Sequence, residues 1–132
     1  MSTERDDPLE ELVVSRERVN RQCVVDALDG VVNVSDDGEL LAMSGFQPLN
    51  SRERIVALLL ARWAAAELGL VDTPGLPVAE LGDRVGLSAS AVEKYVHEMV
   101  FVRQSSDGDG HSIPERRIVD AVQFVDTDTT GV

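Results

Sequence analysis

The stretch Val78–Met99, VAELGDRVGLSASAVEKYVHEM, decides the fold. It reads as a short helix, a three-residue turn and a second helix. Leu81 and Val85 are four apart and share one face of the first helix. Gly86 follows at once, where a left-handed or tightly turned backbone suits a residue without a Cβ. Leu87 then points inward, and the Ser88 side chain can accept a bond from an orphan N–H of the next helix. Val92, Tyr95, Val96 and Met99 repeat at three- and four-residue spacing and form the buried stripe of that helix. Gly82 is small enough for the two helices to approach closely. This is a helix-turn-helix pattern, whose second helix can enter a DNA major groove.

Opposite the buried stripe, the second helix presents Ser88, Ala89, Ser90, Glu93, Lys94 and His97. The first three are small, so the helix N-terminus can approach a groove and offer its N–H groups to phosphate. Lys94 is the only lysine in the chain, and it falls on this face. His97 reaches far enough for a base or a phosphate. Glu93 repels phosphate, although it can accept from a cytosine amino group. The face is thinly basic.

Gly82, Gly86 and Val92 match the small, turn-glycine and β-branched positions of the helix-turn-helix superfamily at the same spacing. Leu81, Val85, Leu87 and Tyr95 fall where that pattern has apolar residues. The match covers about twenty residues, and with its flanks the chain resembles winged helix-turn-helix transcription regulators of halophilic archaea. Gly82 departs from the more usual alanine, at a cost of about 1 kcal/mol in helix propensity. The resemblance implies a homodimer on double-stranded DNA. A trihelical core used only for protein contact has the same local pattern.

Composition bounds the rest. The chain has 132 residues, enough for one domain with its own core. Aromatic residues are 4%, so the core must come from Val, Leu, Ala and Ile. The net charge is −12, and eleven of the twelve basic residues are Arg. An Asp/Glu excess with almost no Lys resembles a protein of a salt-in halophile; an acidic protein that avoids or mimics nucleic acid is the other reading. Ordinary buffer sets such a charge against phosphate. At about 1 M salt the Debye length is only ~3 Å, so local contacts and fit decide.

One cysteine, Cys23, cannot form an internal disulfide and reads as a buried thiol in an apolar run. The N-terminus MSTERDDPLEE has no signal-peptide h-region. Ile55–Val71 carries Arg62 and Glu67 with an amphipathic period, so it reads as a core helix and not a membrane span. A cytoplasmic protein is expected.

The chain divides into an extension over 1–49 and a winged helix-turn-helix domain over 50–132. In the extension, Asp7 and Pro8 open a helix whose stripe runs from Leu9 to Leu28, broken by Arg16 and Asn20 into one helix or two. Val31–Met43 reads as a hairpin around Ser35-Asp36-Asp37-Gly38, and Ser44–Leu49 as a linker. The acidic turn lacks the spaced oxygens of an EF-hand. Asn50 and Glu53 stand in capping-box spacing at the start of a long helix. Its stripe is Ile55, Leu58, Leu59, Trp63, Ala66 and Leu70, with a stop at Gly69 and Arg52, Arg54 and Arg62 on the polar side. Arg52 and Arg54 cluster at its start, where they either touch phosphate or pair with local acids.

Val71–Pro77 reads as a loop with Pro77 at the first position of the next helix. After Met99, Val100–Gln104 reads as a strand, Ser105–Gly110 as a turn and His111–Ile113 as the returning strand. That describes a wing, with Arg103 as its one candidate DNA contact. Asp107 and Asp109 at the tip argue against insertion into a minor groove. Pro114 opens a last amphipathic helix with Ile118, Val119, Val122 and Val125 on one side, either a dimer element or a lid, and Asp126–Val132 reads as a polar tail.

The expected class is mainly α within α+β: a trihelical winged core with an N-terminal helix, a hairpin and a C-terminal helix. No catalytic constellation, cofactor loop or metal spacing stands out, so a non-enzyme without cofactor or metal is expected. The expected function is a sequence-specific, homodimeric DNA-binding regulator using Ser88, Ala89, Ser90, Lys94 and His97, with Arg52, Arg54 and Arg103 flanking. The alternative is a winged-helix adaptor that contacts a protein partner through the hairpin or the last helix.

Overall fold

The computed structural model describes residues 8–13, 15–104 and 110–130, with side chains left out at 10, 11 and 126–130. Within them the chain is mixed α+β and mostly helical, with five α-helices and two small antiparallel sheets.

The centre is helix α2 (Ser51–Glu67). Its capping box forms as the spacing predicts: Asn50 Oδ1 accepts the Glu53 N–H at 2.9 Å, and Glu53 Oε1 accepts the Asn50 N–H at 2.8 Å. Every residue from Ile55 to Ala61 is buried, which corrects the expected amphipathic helix. Its polar residues are confined to the ends and to Arg62, because neighbours cover α2 on several sides. These are α1 (Arg16–Leu28), α5 (Ile118–Thr130), the hairpin strand β1 (Val32–Val34) and α3 (Val78–Val85). Burying each large side chain here is worth ~1.5–3 kcal/mol, so α2 fixes where the other elements pack.

Several expectations about the first 49 residues change. Helix α1 starts at Arg16 with Ser15 as its cap, and Pro8–Leu12 is a separate 3-10 segment; Asp7 lies outside the described residues. Asn20 does not break the stripe. It is buried, and its Nδ2 donates to the Glu115 carbonyl at 3.1 Å, joining α1 to the turn before α5. The hairpin of β1 and β2 (Leu40–Ala42) forms as expected, with Asn33 opposite Leu41. The supposed linker after it is a 3-10 turn, Ser44–Phe46, that buries Phe46 and Leu49 in the same core as α2. Arg84 of α3 donates to the Leu40 carbonyl and ties this hairpin to the helices beyond.

Pro77 is the residue before α3, not its first. Its ψ of 153° is extended, and with Leu76 it forms strand β3 (Leu76–Pro77). Gly86 adopts φ 80°, ψ 32° and ends α3. Helix α4 (Ala89–Glu98) follows, with Ser88 Oγ accepting the Ala91 N–H at 3.2 Å. A Cβ on Gly82 would stand 2.4 Å from the Leu87 carbonyl oxygen, so glycine is required where the two helices meet.

Val100 and Phe101 form a turn, not a strand, because Phe101 is drawn into the core; strand β4 is only Arg103–Gln104. It pairs with β5 (Gly110–Ser112), which also pairs with β3, giving the order β3–β5–β4. The segment between β4 and β5, with Asp107 and Asp109, lies outside the described residues. Pro114 precedes a 3-10 turn (Glu115–Arg117), and α5 runs on to Thr130, so the tail expected from Asp126 is largely helix. Once its first turns are packed on α1 and α2, each added residue gains a backbone bond at little further cost. Ile118, Val122 and Val125 are buried and Val119 only half so.

Replacing each glycine of the turn by alanine separates their roles. Gly86→Ala meets open space and costs only the left-handed backbone, about 1–2 kcal/mol. Gly82→Ala must displace the Leu87 carbonyl, an overpacking cost of about 1–3 kcal/mol that outweighs its gain of about 1 in propensity. Chemical denaturation in molar KCl should show both variants destabilised; a Gly82→Ala protein as stable as wild type would contradict the close approach.

Candidate nucleic-acid interface

Helix α4 uses its inner face for packing. Val92, Val96 and the following Met99 are buried, and Tyr95 is half-buried at the edge. Its outer face is therefore set by period alone: Ser88, Ala89, Ser90, Glu93, Lys94 and His97 are all exposed. The Ser88 and Ser90 hydroxyls lie 3.4 Å apart at the helix start, where no bulky side chain stands.

Toward the other end the face is charged. His97 Nε2 lies 3.8 Å from Glu93 Oε2, one turn away. The His97 ring also meets the edge of His111 on β5 at 6.5 Å between centroids. His111 stands opposite Gln104 in β4, so these two share one face of the sheet and the exposed Arg103, one position away, belongs to the other.

Arg52 joins α4 from the start of α2. Its guanidinium lies 4.7 Å from the Tyr95 ring centroid and 2.5 Å from Glu98 Oε1. The Arg52 hydrogen bond is the main reason the Glu98 carboxyl sits below its ordinary value, with the charges of Arg52 and Lys94 adding to it. Arg54 is not part of this group. It donates to the Phe46 and Gln47 carbonyls and lies over the Phe46 ring, which fixes it to the segment before α2. Arg62, on the same helix, donates to the Thr73 carbonyl.

The structure thus gathers Ser88, Ala89, Ser90, Lys94 and His97 on one face, with Arg52 at its end; Arg103 belongs to the other face of the sheet and does not join them. Sequence reasoning missed Tyr95 and Glu98 at the edge of this surface and the buried His111 that His97 meets. The Lys94–Glu98 spacing of four is a local signal for one charge contact. The Arg52–Glu98 pair spans 46 residues and has no local signal. Counted together, Lys94 and Arg52 balance Glu93 and Glu98, so the face is formally neutral in a chain of −12.

No protein-family profile, curated protein or solved structure matches this chain. Among the described residues no helix is long and apolar enough to cross a membrane, and no group of three or more His, Cys, Asp or Glu is placed to hold a metal ion.

The Arg52–Glu98 pair gives a pH signature. Because the folded carboxyl sits below its ordinary value of 4.5, the pair stabilises the fold above that pH and loses its effect as pH falls through the lower folded value. Wild type should melt above Glu98→Gln at neutral pH, with the gap closing below pH 4.5. A gap that is unchanged down to about pH 3 would rule the charged pair out as its source.

Proposed function

We propose that residues 50–132 form a winged helix-turn-helix, and that the chain is a sequence-specific DNA-binding transcription regulator acting as a homodimer. The observation that carries this reading is the outer face of α4. It is uncovered from Ser88 to His97, small at its capped start, and formally neutral with Arg52 and Glu98 on an otherwise strongly acidic molecule. The order α2, β3, α3, α4, β4, β5 and the sheet order β3–β5–β4 support the winged form.

In this reading the first turn of α4 approaches the groove and its N–H groups point to phosphate. Lys94 contacts phosphate or base, and His97 reaches beyond it. Arg52 meets the backbone only by exchanging Glu98 for a phosphate oxygen. Arg54 drops out of the contact set, since its donors are engaged by carbonyls. Molar salt removes the long-range repulsion of the −12 charge and leaves these short contacts to act.

A second reading, an adaptor without DNA binding, is favoured by Glu93 and Glu98 flanking Lys94. The two are told apart by selection from a random duplex pool in molar KCl. The regulator enriches a pseudo-palindrome with half-sites about one or two helical turns apart, and Lys94→Glu weakens binding to it about tenfold. No enrichment would end the regulator reading, and unchanged binding by Lys94→Glu would remove Lys94 from the contact.

A further inference from the structure

Glu98 ends α4, where the partial negative charge of the helix dipole opposes a carboxylate. It also lies on the outer face. Ser90, Lys94 and Glu98 succeed one another at four-residue spacing and form one stripe along the helix. A carboxylate thus stands on the surface that meets phosphate in the regulator reading.

What holds it there is a cation from another helix. Arg52 Nη2 lies 2.5 Å from Glu98 Oε1, and the same guanidinium covers the Tyr95 ring at 4.7 Å. Lys94, one turn earlier, adds its charge to the same carboxylate. Both side chains of the pair stay open to water, Arg52 at 46% and Glu98 at 42%. A phosphate oxygen makes the same kind of charge-assisted bond to a guanidinium as a carboxylate oxygen. Arg52 and Lys94 therefore border a position that suits either anion, and Glu98 fills it from within the chain.

We propose that Glu98 is an internal substitute for a DNA phosphate: it occupies Arg52 in the free protein and gives way to a backbone phosphate in the complex. This inference deepens the regulator reading and rests on it. The exchange needs no change in the fold, since neither side chain belongs to the core. Its consequence is a weaker hold on every duplex. Non-specific binding consists of phosphate contacts and loses most in proportion, which leaves discrimination to the fit of the α4 face.

Binding to the duplex that wild type selects, measured by fluorescence anisotropy in molar KCl, tests it. High salt preserves direct contacts and suppresses the general effect of removing one charge. Glu98→Gln should bind about three- to fivefold more tightly, the worth of an exposed ion pair, although the same variant should melt below wild type. Arg52→Gln should cost little in the wild-type chain and about that same factor in the Glu98→Gln chain. A clasp that merely joins α4 to α2 gives the opposite sign, because Glu98→Gln then loosens the helix and binding falls. Glu98→Gln binding no tighter than wild type would overturn the inference. So would a gain from Glu98→Gln that is just as large when Arg52 is also replaced by Gln. If neither wild type nor Glu98→Gln binds any duplex, the regulator reading itself is overturned.

Discussion

A helix that is apolar on every side cannot meet water anywhere, and α2 is such a helix from Ile55 to Ala61. Its burial requires cover from several directions at once. The covering elements come from both ends of the chain: α1 and the hairpin before it, α3, the sheet and α5 after it. This explains why Phe46 and Leu49 join the core in a segment without regular repeat. It also explains where the arginines of α2 go. With no exposed face to occupy, they sit at its start or reach out to carbonyls and carboxylates of neighbouring segments.

The second constraint is the approach of α3 to α4. Gly82 and Gly86 are both needed there for different physical reasons. Gly86 supplies a backbone conformation that a side chain disfavours, while Gly82 supplies space against the Leu87 carbonyl. Together they aim α4 so that Val92 and Val96 face inward. The outer face follows as a geometric remainder. A functional surface of this kind costs the fold little, because none of its side chains is needed for packing.

Electrostatics narrows what that surface contains. Part of the positive charge is engaged in ion pairs: Arg21 with Glu17 and Glu67, Arg52 with Glu98, Arg84 with Glu80, Arg117 with Asp120. These are exposed pairs, each worth at most about 1 kcal/mol, and they rank below α2 burial in holding the fold. Their greater consequence is for binding, since they reduce the number of cations open to an anionic partner. The α4 face keeps Lys94, with Arg52 beside it held by Glu98, and the proposed regulator depends on these two cations.

Local patterns in the chain were sufficient for the capping box at Asn50, the Gly86 turn, the Ser88 cap, the hairpin around Gly38 and the split of α4 into an inner and an outer face. Each rests on residues within about four positions of one another, where backbone geometry alone dictates the partner. Tertiary structure alone decided that α2 is enclosed and not amphipathic, that Asn20 is a buried tie to Glu115, and that Arg54 faces Phe46 while Arg52 faces Glu98. It also drew Phe101 inward and extended α5 beyond its expected end. These outcomes depend on which distant segment lies alongside, and residue spacing carries no information about a neighbour 46 or 95 positions away.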